Sequence, residues 1–242
     1  MSRGVFYGIG VGPGDPELLT LKAIRAIESL DVLVVPSGNS EGKSEAYLIA
    51  ESYVQPHTTV ASRHFPMTKD VTRRDEQLAV IAREIVSMME EGKRVGFLTL
   101  GDPMVYSTYV YLLRRIHLVS PTVESVTIPG ITSFTAIASA VEHSLVEGDE
   151  PLVVFPCTAE NAEERVRALL REDSALVLMK AYRNFEAIRA VIDECGMLDC
   201  AVVSSNFGKA DEITAPLRTY RADEISYFTT ILVRPKHRRV DR

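Results

Sequence analysis

The 242-residue sequence contains no tryptophan and only three cysteines, Cys157, Cys195 and Cys200. These cysteines are odd in number, widely spaced and without a CxxC pair, so they indicate neither a disulfide framework nor a zinc site. The five histidines are scattered, with no two at the spacing of metal ligands. We therefore interpret both residue types as structural and expect no metal centre.

Long apolar runs are also missing from this sequence. No segment approaches the roughly 20 apolar residues that a membrane-spanning helix needs. The N-terminus lacks the apolar core and the small-residue cleavage site of a signal peptide. Hydrophobic residues make up 46% and charged residues 25% of the chain, which is typical of a globular protein with a packed core. These features predict a cytoplasmic protein without a membrane partner.

Positive charge is in deficit, because the formal net charge is −6. A domain that binds nucleic acid usually carries a basic surface or stripe. The composition therefore argues against a nucleic-acid partner, and an anionic ligand would need a local group of basic residues.

The chain is organised around residues 95–113, VGFLTLGDPMVYSTYVYLL. Residues 95–100 are a short apolar run, which predicts a buried strand. The Gly-Asp-Pro at residues 101–103 ends the strand, because Gly permits a positive φ, Asp favours turns and Pro lacks a backbone donor. A helix is predicted over residues 106–115. A strand that ends in this way opens the crevice in which α/β sheets bind ligands.

Glycines also follow the first predicted strand, in the sequence GVGPGDP over residues 10–16. Glycines at a strand end are typical of nicotinamide-binding oxidoreductases, which are therefore an alternative class. The spacing is not GxGxxG, however, and Pro13 and Pro16 lack the backbone donors that a phosphate loop uses. We interpret this segment as a rigid turn that faces a ligand.

Strands and helices alternate along the chain, which predicts an α/β fold with a parallel sheet. The polar segment 143–151 predicts a boundary between an N-terminal α/β domain, residues 1–146, and a C-terminal α/β domain, residues 147–242. The predicted strands are residues 5–11, 31–35, 59–66, 95–100, 123–128, 152–155, 174–179, 201–205 and 228–233. The predicted helices are residues 17–30, 45–53, 76–91, 106–115, 134–141, 162–171 and 186–195.

Four segments together resemble the tetrapyrrole methylases: residues 10–16, residues 101–106, residues 129–133 and Met179. GVGPGDPELLTLKA, FPM at residues 65–67 and TLGDPMVYSTYVYL from residue 99 are similar to the branch that methylates C20 of precorrin-2 or cobalt-factor II. The resemblance implies two α/β domains, the first with a mainly parallel sheet and the second with a mixed sheet. It also implies an active site in the cleft between them, and a homodimer.

The resemblance further implies S-adenosylmethionine as methyl donor, with S-adenosylhomocysteine as product, and an anionic tetrapyrrole as acceptor. The residues that it assigns to the cofactor are Pro13, Leu100, Gly101, Asp102, Val105, Tyr106, Thr132, Ser133, Met179, Asn206, Phe207 and Thr230. Thr132 and Ser133 can also be interpreted as a plain helix cap, and Met179 as a core residue.

Residues that would contact the acceptor are Asp15, Arg63, Met67 and Arg74. Because the acceptor carries many carboxylates, a net-acidic protein must concentrate positive charge locally. The basic candidates for this role are Arg63, His64, Lys69, Arg73, Arg74, Lys43 and Lys180. A solvated basic surface is the alternative interpretation. A base could accept the C20 proton, and Asp15, Asp102 and Tyr106 are unranked candidates.

Several functional alternatives stay open at this point. Another tetrapyrrole methylase, or a diphthine-synthase-like enzyme that methylates a protein side chain, would use the same fold. A binding module without activity is a further class. The sequence does not distinguish a cobalt-containing acceptor from a metal-free one.

Overall fold

Five parallel strands form the sheet of the first unit of the protein. The structure, a computed structural model, describes residues 4–36, 44–65, 70–172 and 174–234. The chain divides into two compact units, Met1–Thr132 and Ser133–Arg242. The strands of the first unit are β1 (Val5–Gly10), β2 (Val32–Pro36), β3 (Thr59–Arg63), β4 (Val95–Thr99) and β5 (Glu124–Ile128). They lie in the order β3-β2-β4-β1-β5, and every neighbouring pair is parallel.

Helices cover both faces of this sheet. They are α1 (Leu21–Glu28), α2 (Glu45–Ala50), α3 (Val71–Glu90) and α4 (Tyr109–Val119). Successive side chains of a strand point to opposite faces. In β4, Phe97 accordingly packs with the core residues of α3 and α4, whereas Leu98 packs with those of α1 and α2. The short apolar runs of the sequence are therefore strands that are buried on both sides, as expected for a parallel sheet.

Side-chain caps determine where three of these helices begin. Thr20, Ser44 and Asp70 precede α1, α2 and α3, and each side-chain oxygen accepts a hydrogen bond from the backbone N–H three residues further on. The helix predicted from residue 17 therefore begins only at Leu21. Asp15 caps a separate 3₁₀ turn, Pro16–Leu18, before it.

The connections that leave β1 and β4 run in opposite directions. From β1 the chain passes through α1 to β2, on the far side of β4. From β4 it passes through α4 to β5, on the far side of β1. Adjacent strands whose connections diverge leave a crevice at their carboxyl ends, where open α/β sheets bind ligands. The fold thus brings the loop after Gly10 beside the loop after Thr99.

The second unit contains a mixed sheet of five strands. The strands are β6 (Leu152–Pro156), β7 (Ala175–Met179), β8 (Ala201–Ser205), β9 (Ile213–Pro216) and β10 (Thr230–Val233), and the helices are α5 (Ser133–Ala140), α6 (Ala162–Arg171) and α7 (Phe185–Glu194). The strands lie in the order β6-β7-β10-β8-β9, with β6 and β7 parallel and the other pairs antiparallel. Buried residues of α6 and α7 form its core with the strands.

The α/β class predicted from the sequence is confirmed, but strand β9 was missed. Its four residues, Ile-Thr-Ala-Pro, form an edge strand whose side chains are exposed or half-buried. A short edge strand that ends in Pro lacks the apolar run by which a buried strand is identified.

The division between the units falls before α5, whereas the sequence predicts a boundary between residues 146 and 147. Helix α5 packs against β10 of the second sheet, which groups it with the second unit. A polar segment such as 143–151 indicates where the chain is exposed, but it does not indicate with which sheet the preceding helix packs.

Neither a membrane-spanning helix nor a metal site is found in the part of the chain that the structure describes. No helix there is long and apolar enough to cross a bilayer. No group of three or more His, Cys, Asp or Glu side chains there could hold a metal ion.

Candidate functional site

The loops after β1 and β4 are joined directly by their backbones. The Gly101 N–H donates to the Gly12 carbonyl at 2.7 Å, and the Gly12 N–H donates to the Gly101 carbonyl at 3.4 Å. This pair forms an isolated antiparallel bridge beyond the ends of two parallel strands. The two glycine-containing segments that the sequence singled out are therefore neighbours in space.

A third segment, the loop after β5, completes this junction. A Cβ atom on Gly10 would lie 2.6 Å from the Gly130 nitrogen, and one on Gly130 would collide with the Gly101 carbonyl oxygen. These two glycines are required because three backbones approach each other closely here. We call Gly10, Gly101 and Gly130 the glycine junction.

Gly101 differs from the other two members of the glycine junction. Its φ is +67°, and a Cβ built on it would find only the Ile131 carbonyl oxygen, at 4.0 Å. The other glycines leave no room for a side chain, whereas Gly101 borders open space. This position at the carboxyl end of β4 leaves room for a ligand beside the half-buried Gly101.

The Asp102 carboxylate is bound on both oxygens by backbone N–H groups. Oδ1 accepts from Met104 at 2.8 Å, and Oδ2 accepts from Gly130 at 3.1 Å. The side chain therefore holds the loop after β4 to the loop after β5. Each carboxylate oxygen has a second lone pair, so the Asp102 carboxylate can still accept from a cationic ligand. The attraction of such a ligand to Asp102 remains a prediction.

Two pairs of hydroxyl groups connect the residues that follow β4 to the ends of β4 and β5. Thr99 and Ser107 share a hydrogen bond of 2.7 Å between their hydroxyl oxygens, and Ser107 Oγ accepts from the Tyr109 N–H at 3.1 Å. The hydroxyl of Tyr109, which is fully buried, lies 2.6 Å from Thr127 Oγ1. The ring occupies space beside β1 that a side chain at Gly8 would fill. Sequence reasoning missed these groups, although a Gly inside a strand indicates a close approach.

Tyr106 lies in the loop between β4 and α4. Its φ is +48°, an unusual value for a residue with a side chain, and 46% of the residue is exposed. Burial of part of the side chain raises the pKa of the Tyr106 hydroxyl. The predicted helix from residue 106 therefore starts at Tyr109, because the strained backbone interrupts it. Strain of this kind occurs most often where the surrounding structure shapes a site.

Pro13, Asp15 and Thr132 lie on the loops that follow β1 and β5 of the first unit, whereas Ser133 is the first residue of the second unit. Asp15 Oδ1 accepts from the Glu17 N–H at 2.8 Å, so one oxygen caps the 3₁₀ turn. Pro13 lies on the same loop. Ser133 begins α5, directly after Thr132. Their predicted contacts with a cofactor remain predictions.

The other predicted site residues of the second unit lie together at one end of the strands, where β7 and β8 end and β10 begins; we call this end the edge of the mixed sheet. Thr230 lies in register with Met179 of β7 and with Ser204 of β8. Asn206 and Phe207 directly follow β8 at the same edge. The structure therefore brings together Met179, Asn206, Phe207 and Thr230, which are far apart in the sequence.

Hydrogen bonds between buried hydroxyl groups connect β8 to the segments beside it at this edge of the mixed sheet. Ser205 Oγ lies 2.5 Å from Thr229 Oγ1 and 2.7 Å from the Tyr220 hydroxyl. All three residues are almost completely buried. Sequence reasoning missed Tyr220, because nothing in its neighbourhood indicates that it reaches Ser205.

The basic candidates differ in how they are paired. Arg63 Nε donates to Glu84 Oε2 at 2.6 Å, so its charge is already compensated. The Arg74 guanidinium lies over the Tyr111 ring, 4.9 Å from its centroid, and its buried Nε has no acceptor among the described residues. His64 and Arg73 are exposed. Lys43, Met67 and Lys69 lie outside the described residues.

The profile of the Tetrapyrrole (Corrin/Porphyrin) Methylases matches residues 5–222 of this chain. A cobalt-precorrin-2 C(20)-methyltransferase from Salmonella typhimurium is 37% identical over 96% of this chain and 96% of its own length. A precorrin-2 C(20)-methyltransferase from Sinorhizobium sp is 33% identical over 95% of both chains.

Solved structures share the fold of this chain at low sequence identity. A cobalt precorrin-4 methyltransferase matches with a TM-score of 0.73 at 20% identity, over 95% of this chain and 94% of that one. A uroporphyrin-III C-methyltransferase from Thermus thermophilus, complexed with S-adenosylhomocysteine, matches with a TM-score of 0.61 at 20% identity, over 95% of this chain and 97% of that one.

Proposed function

The chain belongs to the tetrapyrrole (corrin/porphyrin) methylases, as its motifs indicated, and we propose that it transfers a methyl group from S-adenosylmethionine to C20 of precorrin-2 or cobalt-factor II. Two relatives that match almost end to end carry the name of this reaction, one with and one without cobalt in the acceptor. The proposal therefore covers both forms of the acceptor, in cobalamin biosynthesis.

The glycine junction supports the proposed position of the methyl donor. Gly101 borders open space at the carboxyl end of β4, between the diverging connections of the first sheet. We propose that the methyl donor binds there, against Leu100, Gly101 and Asp102, with Val105 and Tyr106 beside it. The contacts of the other cofactor residues predicted from the sequence remain predictions.

The donor supplies an electrophilic methyl group bound to a sulfonium sulfur. The residues of the chain hold the donor and the acceptor in position. The C20 carbon forms a bond to the methyl carbon while the carbon–sulfur bond breaks, and its electron pair stays on sulfur. The reacting atoms must be held about 3 to 3.5 Å apart and in line, which can account for most of the acceleration. The rigid backbone of the glycine junction, fixed by Asp102, suits this role.

C20 must also lose a proton during the reaction. Burial raises the pKa of the Tyr106 hydroxyl, so this phenol stays protonated at neutral pH and can donate a hydrogen bond. Both Asp102 oxygens already accept backbone hydrogen bonds, and one Asp15 oxygen does so. We propose that a carboxylate or a water molecule, rather than Tyr106, accepts the proton.

The test uses a methyl donor labelled with carbon-13 and two acceptors, one metal-free and one containing cobalt, in separate incubations. The expected product has gained one methyl group, which carbon NMR assigns to C20. Label at another ring carbon would replace this proposal by another tetrapyrrole methylase, and label in protein would replace it by a diphthine-synthase-like enzyme. Binding of NADH without binding of S-adenosylhomocysteine would replace it by an oxidoreductase.

We further propose that the protein is a homodimer in the cytoplasm. Support for the dimer comes from the family resemblance alone. Sedimentation equilibrium of the purified chain tests it, since a monomer at micromolar concentration would overturn it.

A further inference from the structure

Lys180 adopts a backbone conformation that a lysine rarely takes. It directly follows β7, and its φ and ψ are +56° and +38°, in the left-handed region. A side chain costs free energy in this region, which is why glycine or asparagine normally occupies it. A lysine in place of glycine therefore suggests that its side chain has a use.

The described residues around the Lys180 side chain provide no compensating negative charge. Burial lowers the pKa of the Lys180 ammonium. Within the described ranges, no carboxylate forms an ion pair with Lys180. Partial burial disfavours the charged form of an amine, and an anion that binds beside it offsets this effect.

The position of Lys180 in the sheet is the third observation. It follows Met179, which lies in register with Thr230, and the next N–H, that of Ala181, donates to the Thr229 carbonyl at 3.4 Å. Asn206, after β8, is also left-handed, with φ of +55°. The unpaired lysine thus lies at the edge of the mixed sheet that carries the candidate cofactor residues.

We propose that Lys180 binds a carboxylate of a ligand of this enzyme. The proposal rests on the proposed function, whose two ligands both carry carboxylates: the amino-acid end of the methyl donor and the side chains of the tetrapyrrole. An ammonium group binds either one as a point charge that its flexible stem can adjust. Lys180 is then a binding residue that contributes no proton to the reaction.

The test compares three variants with the unaltered protein. Lys180→Met removes the charge and keeps the length of the side chain, and Lys180→Arg keeps the charge. Lys180→Gly removes the side chain but suits the left-handed backbone, so it should fold at least as stably. Glu142→Gly is the matched control, because Glu142 is also left-handed, with φ of +51°, at the end of α5.

We expect Lys180→Met and Lys180→Gly to weaken ligand binding at least tenfold, and Lys180→Arg to retain most of it. If S-adenosylhomocysteine binding weakens in calorimetry, the carboxylate belongs to the donor. If only the KM for the tetrapyrrole rises, it belongs to the acceptor. Glu142→Gly should change neither quantity.

Unchanged S-adenosylhomocysteine affinity and unchanged acceptor KM in a folded Lys180→Met or Lys180→Gly variant would overturn the assignment of Lys180. Failure of the proposed function is recognised separately, because the unaltered protein would then transfer no methyl group to either acceptor. Thermal unfolding of all variants shows that loss of binding is not loss of folding.

Discussion

The Asp102 carboxylate and the Gly130 N–H connect the ends of two strands, β4 and β5, across 28 residues of sequence. The same carboxylate accepts from the Met104 N–H within its own loop. One side chain therefore both fixes the turn after β4 and connects it to the loop after β5, and the shape of this turn should depend on that side chain.

Asp102→Asn should destabilise this loop. An amide has one accepting oxygen in place of two, so either Gly130 or Met104 loses its acceptor and faces a donor instead. We expect a loss of about 1 to 3 kcal/mol in the free energy of unfolding, measured by urea denaturation. Unchanged stability together with weaker S-adenosylhomocysteine binding would contradict this, and would assign Asp102 to ligand binding alone.

Gly101→Val should lower affinity for S-adenosylhomocysteine, and because the φ of Gly101 is +67° it should also lower the stability of the protein, so affinity is measured where the variant is folded. The new side chain would project into the open space beside the glycine junction, where we propose that the donor binds. Overpacking of a bound ligand predicts a loss of about 1 to 3 kcal/mol in binding free energy, which calorimetry measures.

Gly130→Ala is the comparison for that experiment, because its Cβ would collide with the Gly101 carbonyl oxygen. It should lower the melting temperature first, since the three loops can no longer approach each other. Normal affinity in a folded Gly101→Val variant would remove the donor from this junction.

Local patterns in the sequence were enough to predict most elements of the first unit. Buried strands such as β4 appear as short apolar runs, and the glycines at residues 10 and 101 indicate the loops that meet at the glycine junction. What could not be predicted are pairings between distant residues. The contact of Asp102 with Gly130, and that of Tyr109 with Thr127, depend on strand order, and no local pattern contains that order.

The start of α4 shows a second limit of sequence reasoning. Residues 106–108 continue a pattern compatible with a helix, yet Tyr106 is left-handed and the Ser107 hydroxyl turns back to Thr99. A tertiary hydrogen bond there overrides local propensity, as happens often at binding sites. Lys180 is a further example of this limit, because its residue type does not indicate its left-handed backbone.

Arg74→Glu should raise the KM for the tetrapyrrole and leave S-adenosylhomocysteine affinity unchanged. Its guanidinium packs on the Tyr111 ring, and no ion pair with a described residue compensates its charge, so its accessible N–H groups can bind a carboxylate. Arg63→Glu should have the smaller effect on KM, because Arg63 is paired with Glu84.

Loss of the ion pair between Arg63 and Glu84 should lower the free energy of unfolding by at most about 1 kcal/mol, since both side chains are partly exposed. Steady-state kinetics with each variant, and calorimetry with S-adenosylhomocysteine, separate these effects. Equal KM values for Arg74→Glu and the unaltered protein would place the acceptor away from α3.

Cys157 should be the least reactive of the three thiols in the folded protein. It is fully buried after β6, and burial raises the pKa of its thiol to about 12. At pH 8 only about one molecule in ten thousand would carry the thiolate there, and the thiolate is the form that reacts.

Iodoacetamide at pH 8 should therefore label the half-buried Cys195 and Cys200 well before Cys157. Peptide mapping by mass spectrometry gives the three rates, and labelling in urea, where all three thiols are exposed, is the control. The Cys157 N–H donates to the Met179 carbonyl at 2.8 Å, at the sheet edge that carries Lys180 and Thr230. Labelling of native Cys157 as fast as Cys195 would therefore mean that this edge opens, and bound S-adenosylhomocysteine should then slow that reaction if the donor contacts it.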